Sequence, residues 1–484
     1  MSSNFSDQII PTEFIEALDS QDFTDFLIQI SKSDLPLLSV TLPIAPIDPL
    51  AALELNPEYD EKFYWDHPEN DLSISAAGKV RELKSTGGNR FDQISEQTSS
   101  IKKEIDAYTS IKHSMAGPLL LGGYSFDKHN IGKVWKKFGA ANFILPEWMI
   151  VKNGSLHLLT LTFDKKDCSP DEIYQQIISQ ITGFLNISTV LPGFTDEIPS
   201  SGNLTSTQNS KQEKNSWIEK VELAKSYIKS GKFEKIVLAR SKTIESKVRP
   251  ESTVLIHQLR QKYPECFNFM IQKDSKTAFI GSTPERLASF RNSIFSTDGL
   301  AGSTSRGRSA IEDASLANNL MNSQKDRDEH DFVVRAINEN LKNFSYRIEH
   351  PKQPSIKKLK NVQHLFTPIS ASIKENVQIH DLINEMHPTP AVGGFPREEA
   401  VAHIHDIEQI DRGWYAAPIG WFNLSGSGEF AVAIRSALLH DESATLYAGC
   451  GIVADSDPEK EWNETLLKFK PMLDSLNGNR PGDE

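Results

Sequence analysis

The sequence predicts an α+β protein in which antiparallel strands are layered beside long helices. Three observations carry this. Apolar runs such as FNFMIQ, TAFIGSTPERLASF and SIFSTDGLAG follow one another closely enough to pair antiparallel. Long stretches of helical period, among them residues 217–231 and 326–344, flank them. Late in the chain, EFAVAIRSALLH (429–440) and ATLYAGCGIV (444–453) are joined by Asp441 and Glu442 as a hairpin would be.

The totals fit such a fold. With 484 residues, 38% hydrophobic and 24% charged, the chain can build a large core without staples. Its net charge of −13 argues against nucleic acid or an anionic membrane as partner. Three cysteines, Cys168, Cys266 and Cys450, form no CxxC pair, so neither a zinc site nor a disulfide framework is expected. The N-terminus lacks the basic and apolar regions of a signal peptide, and no run of 18 apolar residues offers a membrane span. A cytoplasmic protein is the expectation.

In chain order, the first fifty residues mix short apolar runs with Pro43, Pro46 and Pro49, and a polar region follows at 85–105. PLLLGGYSFD (118–127) reads as a strand and a glycine turn. Residues 143–164 read as a hairpin turning at Asn153-Gly154, with a helix near 170–186 after it. Residues 196–215, rich in Ser, Thr, Asn and Gly, read as a flexible linker or loop. It divides an N-terminal region, 1–195, expected to pack into the same fold, from a second region, 216–478. Trp217, Val221, Ala224 and Ile228 share one side of the next helix, and Gly231 suits its end. KIVLAR (235–240) is a strand, and a later helix starts near Asp326.

Several residues in this second region can carry chemistry. Lys235 opens an apolar strand, and in an enclosed pocket such an amine can serve as a base. Glu285 follows a Gly-Ser-Thr-Pro turn, where a dry site would keep its carboxyl protonated. Glu329 sits in a helix beside Phe332, Val333, Ala336 and Ile337, so it needs a cation or a metal. Asp326 lies one turn earlier. Glu461, Glu464 and Lys468 form one stripe of a helix that starts at Asp457-Pro458. Carboxylates without a His/Cys cluster suit Mg²⁺ rather than zinc. Arg435, inside an apolar strand, calls for an anionic partner. The glycines of AGCGIV and GLAGSTSRG either approach an anion or permit turns.

Together these stretches resemble the chorismate-utilising enzymes over residues about 217–475. The matching motifs are KIVLAR, GSTPERL, GLAGS, KDRDEHDFVV, VQHLFTPI, MHPTPAVGGFP, DRGWYAAPIGW, FAVAIRSALL and YAGCGIVADSDPEKEWNETLLK. LLLGGYSFD and FILPEW extend the likeness toward the N-terminus. The resemblance implies two large, mostly antiparallel sheets facing each other with helices outside (an α/β sandwich), and makes residues 216–478 the chorismate-binding catalytic domain. It implies Mg²⁺ held by Glu329 and Glu464, with Glu461 and Asp326 in an outer shell. Arg435 would grip the enolpyruvyl carboxylate. Gly302, Ser303, Gly449, Gly451 and Lys468 would meet the substrate, and His364 would lie beside its ring.

Lys235, and Ala391 within TPAVGG, are similar to the branch that adds water, the isochorismate synthases. There Lys235 would be the base and Glu285 the acid. A salicylate synthase, an anthranilate synthase component I and a non-catalytic chorismate-binding protein are the alternatives. A monomer without a glutaminase partner is expected, serving menaquinone, siderophore or other synthesis. The chain departs from the family pattern at Ser303, where Thr is common, and at Gln324, where Glu is common.

Overall fold

The computed structural model describes residues 20–30, 32–128, 132–165, 169–187, 205–206, 210–246, 249–360 and 362–477. Among them, one sheet has thirteen strands and a second has ten. The pairings are antiparallel except that of Leu37–Pro43 with Ile105–Thr109. Both sheets interleave the two halves of the sequence. In the larger sheet Phe267–Asp274 pairs with Lys62–His67; in the smaller, Pro418–Asn423 pairs with Leu119–Tyr124. The N-terminal region therefore completes both sheets.

The period-two pattern of the strands sorts side chains into two apolar layers. In Phe267–Asp274, Phe267, Phe269 and Ile271 enter the larger core cluster with Phe143, Phe295 and Ile419 of the other sheet. Met270 turns to a second cluster, where helices supply Phe23, Ile173, Ile256, Phe469 and Met472. Each fully buried Leu, Ile or Phe contributes about 1.5–3 kcal/mol.

The chain repeatedly leaves one sheet for the other. The 143–164 stretch does so at Pro146-Glu147: Ala141–Leu145 belongs to the smaller sheet, and the expected hairpin, Trp148–Asn153 with Leu156–Asp164, to the larger. TAFIGSTPERLASF splits likewise, into Thr277–Thr283 and Arg286–Arg291, on either side of Pro284-Glu285. EFAVAIRSALLH is not the single strand expected. It breaks into Gly428–Val432 and Ser436–His440, and Arg435 at the break has φ 52°. An uninterrupted apolar run hides such a break, because both pieces are buried.

Two further expectations change. The glycines of LLLGGY lie inside the strand Leu119–Tyr124, not in a turn, because a Cβ on Gly122 would come within 2.0 Å of the Asn142 carbonyl oxygen. The helix expected from 217 begins at Ser210, and Thr205–Ser206 pairs with the strand Lys235–Glu245. Residues 211–215 are mostly good helix formers on a largely exposed turn, so no apolar period announced them. The rest of the expected linker, 196–204 and 207–209, lies outside the described residues. No helix among the described residues is long and apolar enough to cross a membrane.

Gly122→Ala is expected to destabilise the protein by about 1–3 kcal/mol through overpacking against that backbone. A lowered midpoint in urea unfolding checks this. An unchanged midpoint would show that the strands do not approach so closely.

Candidate active site

Two sheet crossovers build the floor of one cavity. Val432 N donates to Glu285 O at 3.0 Å, and Ser282 N donates to Arg435 O at 3.1 Å. Thr283 Oγ1 donates to Val432 O at 2.7 Å. Glu285 and Arg435 are thus held side by side by backbone bonds, and both side chains line the cavity. A carboxyl and a guanidinium 150 residues apart meet because both strands change sheets at the same place.

The other walls come from single positions in different elements. Lys235, only 6% exposed, begins the strand Lys235–Glu245, and its Nζ lies 2.7 Å from Glu329 Oε1. Gly449 and Gly451 lie within the strand Ser443–Ile452 rather than in a turn. A Cβ on Gly451 would sit 2.8 Å from Lys235 Cε, so the missing side chain is what lets the lysine pass. Gly302, at φ +72°, forms a bulge in the strand Ile294–Ser305 between Ala301 and Ser303. The bulge brings Ser303 opposite His364, and Ser303 Oγ bonds His364 Nδ1 at 2.8 Å. His364 Nε2 is buried in the same cavity lining and has no hydrogen-bond partner among the described residues.

Helix Pro458–Leu476 supplies the stripe. Asp457 caps it, accepting from Glu459 N and Lys460 N, with Pro458 as first residue. Lys468 Nζ lies 2.6 Å from Glu464 Oε1 and 2.8 Å from Gly449 O. Helix Gln324–Lys342 buries His330, Val333, Val334, Ile337 and Leu341, and Glu329 stands at the edge of that face rather than within it.

Twelve expected residues line the cavity: Lys235, Glu285, Gly302, Ser303, Glu329, His364, Ala391, Arg435, Gly449, Gly451, Glu464 and Lys468. Asp326 and Glu461 do not. Asp326 instead backs the bulge, its Cβ 3.2 Å from where a Cβ of Gly302 would be. Reasoning on the sequence missed Arg412, Tyr415 and Cys450, which also line the cavity. Arg412 is buried against Glu408 and donates to Val392 O at 2.9 Å and Val237 O at 2.8 Å. In sequence that pair looks like an ordinary i,i+4 ion pair on a helix surface; only its burial sets it apart.

The electrostatics are those of an anion receptor with one proton donor. Burial pushes the Glu285 carboxyl up to about 7, against the pull of Arg435 and Lys468. Burial, helped by Arg435 and Lys468, pushes His364 down to about 3, so its imidazole is neutral. Lys235 holds Glu329 below the usual carboxylate range. Burial alone would raise Glu464, but Lys468, Arg435 and Lys235 outweigh it and keep it ionised. Lys235, Lys468 and Arg412 each have a carboxylate partner. Among the described residues no carboxylate pairs directly with Arg435, which leaves a desolvated guanidinium for a ligand.

With this geometry in view, the comparisons with known proteins decide the family. Residues 25–477 match the chorismate binding enzymes. The chain belongs to this family. It is 35% identical to the isochorismate synthase MenF of Bacillus subtilis over 452 residues, covering 92% of this chain and 94% of that one. It is also 35% identical to a salicylate biosynthesis isochorismate synthase of Pseudomonas aeruginosa, over 89% of this chain and 88% of that protein. Among solved structures, the menaquinone-specific isochorismate synthase MenF of Escherichia coli superposes with a TM-score of 0.74 at 25% identity, covering 94% of this chain and all of that one. The expected two-sheet fold is the fold of this family.

Because the folded Glu285 carboxyl titrates near 7 and an unfolded one near 4.5, the stability it contributes is present below about pH 4.5 and lost as pH rises through 7. Glu285→Gln does not titrate. The melting temperature of Glu285→Gln relative to the wild type is therefore expected to rise between pH 5 and pH 8, by the equivalent of about 1–3 kcal/mol. Thermal melts at both pH values check it; equal differences at the two would rule out a raised carboxyl.

Proposed function

We propose that the protein is an isochorismate synthase, which converts chorismate to isochorismate by adding water at C2 and expelling the C4 hydroxyl as water. One observation carries the reading: a lysine amine and a carboxyl that stays protonated near neutrality share a cavity whose remaining guanidinium is free for an anion. The similarity to isochorismate synthases over nine-tenths of the chain supports it.

The residues divide the work as follows. The Arg435 guanidinium takes the enolpyruvyl carboxylate, the kind of partner it lacks among the described residues. Lys235 Nζ accepts a proton from the water that attacks C2. As the ring double bond shifts, Glu285 gives its proton to the departing C4 oxygen. Water enters and water leaves, so the reaction is a net isomerisation and needs no redox partner. His364, neutral and fixed by Ser303, offers a hydrogen bond to the ring substituents without competing as an acid. Lys468 adds a second cation beside the Gly449 carbonyl. Since the nucleophile is water, we expect no glutaminase partner.

Glu329 and Glu464 fit a divalent cation. Both are carboxylates that line the cavity; Glu464 pushes Glu329 up, but Lys235 pulls both down and both lie below the usual carboxylate range. Among the described residues no three His, Cys, Asp or Glu side chains converge on one point. A two-carboxylate site is the kind Mg²⁺ uses when it keeps waters and shares a ligand with substrate. Bound there, Mg²⁺ would neutralise the ring carboxylate and draw charge from the diene. Within the chain, Glu329 must exchange its bond to Lys235 for another partner before Lys235 can act as a base.

Purified protein given chorismate and Mg²⁺ is expected to form isochorismate, separable by chromatography, with no salicylate and with no anthranilate when ammonium is added. Lys235→Met is expected to lower kcat by at least about 10²-fold. Salicylate with pyruvate as products would reassign the enzyme as a lyase, and an active Lys235→Met would remove the proposed base. Glu329→Gln and Glu464→Gln are each expected to weaken Mg²⁺ binding about tenfold or more, read by calorimetry without substrate. Unchanged affinity in both would refute the metal assignment.

A further inference from the structure

We infer that Asp298 is a positioning residue for the acid Glu285, tying together the two chain segments that flank it; this rests on the isochorismate synthase reading above. The Glu285 side chain needs such support. Its backbone N–H and carbonyl are bonded, to Thr283 Oγ1 at 3.3 Å and from Val432 N at 3.0 Å. Among the described residues, however, nothing hydrogen-bonds its carboxyl, so the direction of the acid depends on how its neighbours are held.

Both neighbours lead to Asp298. This residue lies in the strand Ile294–Ser305 and is 9% exposed. On one side, Lys357 Nζ donates to the carbonyl of Pro284, which precedes Glu285, at 3.2 Å, and lies 3.4 Å from Asp298 Oδ2. On the other, Arg286, which follows Glu285, brings Nη1 to 3.7 Å from Asp298 Oδ1, while its Nε bonds Glu429 Oε1 at 3.2 Å. One carboxylate therefore anchors two cations, each attached to a different side of the acid. Asp298 does not line this cavity, although with Arg286 it lines a separate, more open pocket, so in the proposed reaction it acts through Glu285 rather than on the substrate.

The charges around Glu285 give the inference a distinctive readout. Asp298 pushes the Glu285 carboxyl up, whereas Arg435, Lys468 and Lys357 pull it down. Titratable groups nearby also include His364, which is neutral, His67, pushed down by burial and by Arg286 and Lys357, and the Cys266 thiol, pushed up to about 12 by burial; Glu429 is partnered by Arg286. Removing the Asp298 charge leaves Lys357 without a carboxylate partner among the described residues, while Arg286 keeps Glu429, and it lowers the acid. Removing Lys357 raises it. A merely structural ion cluster would affect stability but would not move the acid in opposite directions.

The test compares full-length wild type, Asp298→Asn, Lys357→Met and Glu285→Gln. Isochorismate formation is followed from about pH 6 to about pH 9. Asp298→Asn is expected to lower kcat by about tenfold to a hundredfold with little change in KM. Its alkaline limb should move down by about one pH unit, and that of Lys357→Met should move up. Should Asp298→Asn not fold, the kcat loss and upward shift in Lys357→Met decide. Folded variants with wild-type kcat and an unmoved alkaline limb overturn the inference. A wild type that forms no isochorismate overturns the function instead. The Glu285 titration, taken as an infrared difference against Glu285→Gln in each background, then still decides whether Asp298 acts on it.

Discussion

The pair of hydrogen-bonded crossovers at Pro284-Glu285 and Ala433-Ile434-Arg435 is the constraint on which the rest of the site depends. At one the chain passes from the larger sheet to the smaller and at the other it passes back, and the bonds between Val432 and Glu285 and between Ser282 and Arg435 lock the exchange. Arg435 reaches φ 52° there, a conformation that a non-glycine residue adopts only when its surroundings over-determine it. The result is a carboxyl and a guanidinium fixed by backbone at the junction of two sheets, both lining the cavity and both buried.

The site around that junction works by unequal desolvation. Carboxyls differ in fate according to their partners. Among the described residues nothing hydrogen-bonds the Glu285 carboxyl, and burial pushes it up to about 7, while Glu329 and Glu464, each with a lysine, are held below the usual carboxylate range. This divergence is the usual mark of an acid set apart from metal or ion ligands. It also explains why His364 cannot be the acid: burial and two nearby cations hold it neutral.

Support for the site comes from buried ion pairs that leave the cavity edge. Arg412, pinned by Glu408, ties the carbonyls of Val237 and Val392, and so joins the Lys235 strand to the loop carrying Ala391. Arg240 stacks 3.7 Å over the Trp462 ring and donates to Thr465 Oγ1 at 2.8 Å, which fixes the helix that presents Glu464. Breaking one member of such a pair is costly because a charge is then left buried alone.

By itself the sequence determined a great deal. Period-two apolar runs and capped amphipathic helices establish the α+β class, because burial of one face is a local property of the chain. The residue types of the site were legible too. Lys235 and Arg435 sit in apolar runs and Glu285 follows one, where a charge without a purpose is expensive, while Glu329 and Glu464 stood out through the resemblance to the family. What only the tertiary structure decided concerns partners distant in the chain. The break that puts Arg435 at a crossover is hidden in a run apolar on both sides, the glycine at 451 could serve an anion or a turn until Lys235 is seen passing over it, and the Arg412–Glu408 pair looks solvated until it is buried. Asp298 carries no signal at all in its strand, since its role lies in two cations that meet it from 12 residues before and 59 residues after. Local patterns encode what a segment buries; which segments then face one another is settled only when the two sheets close.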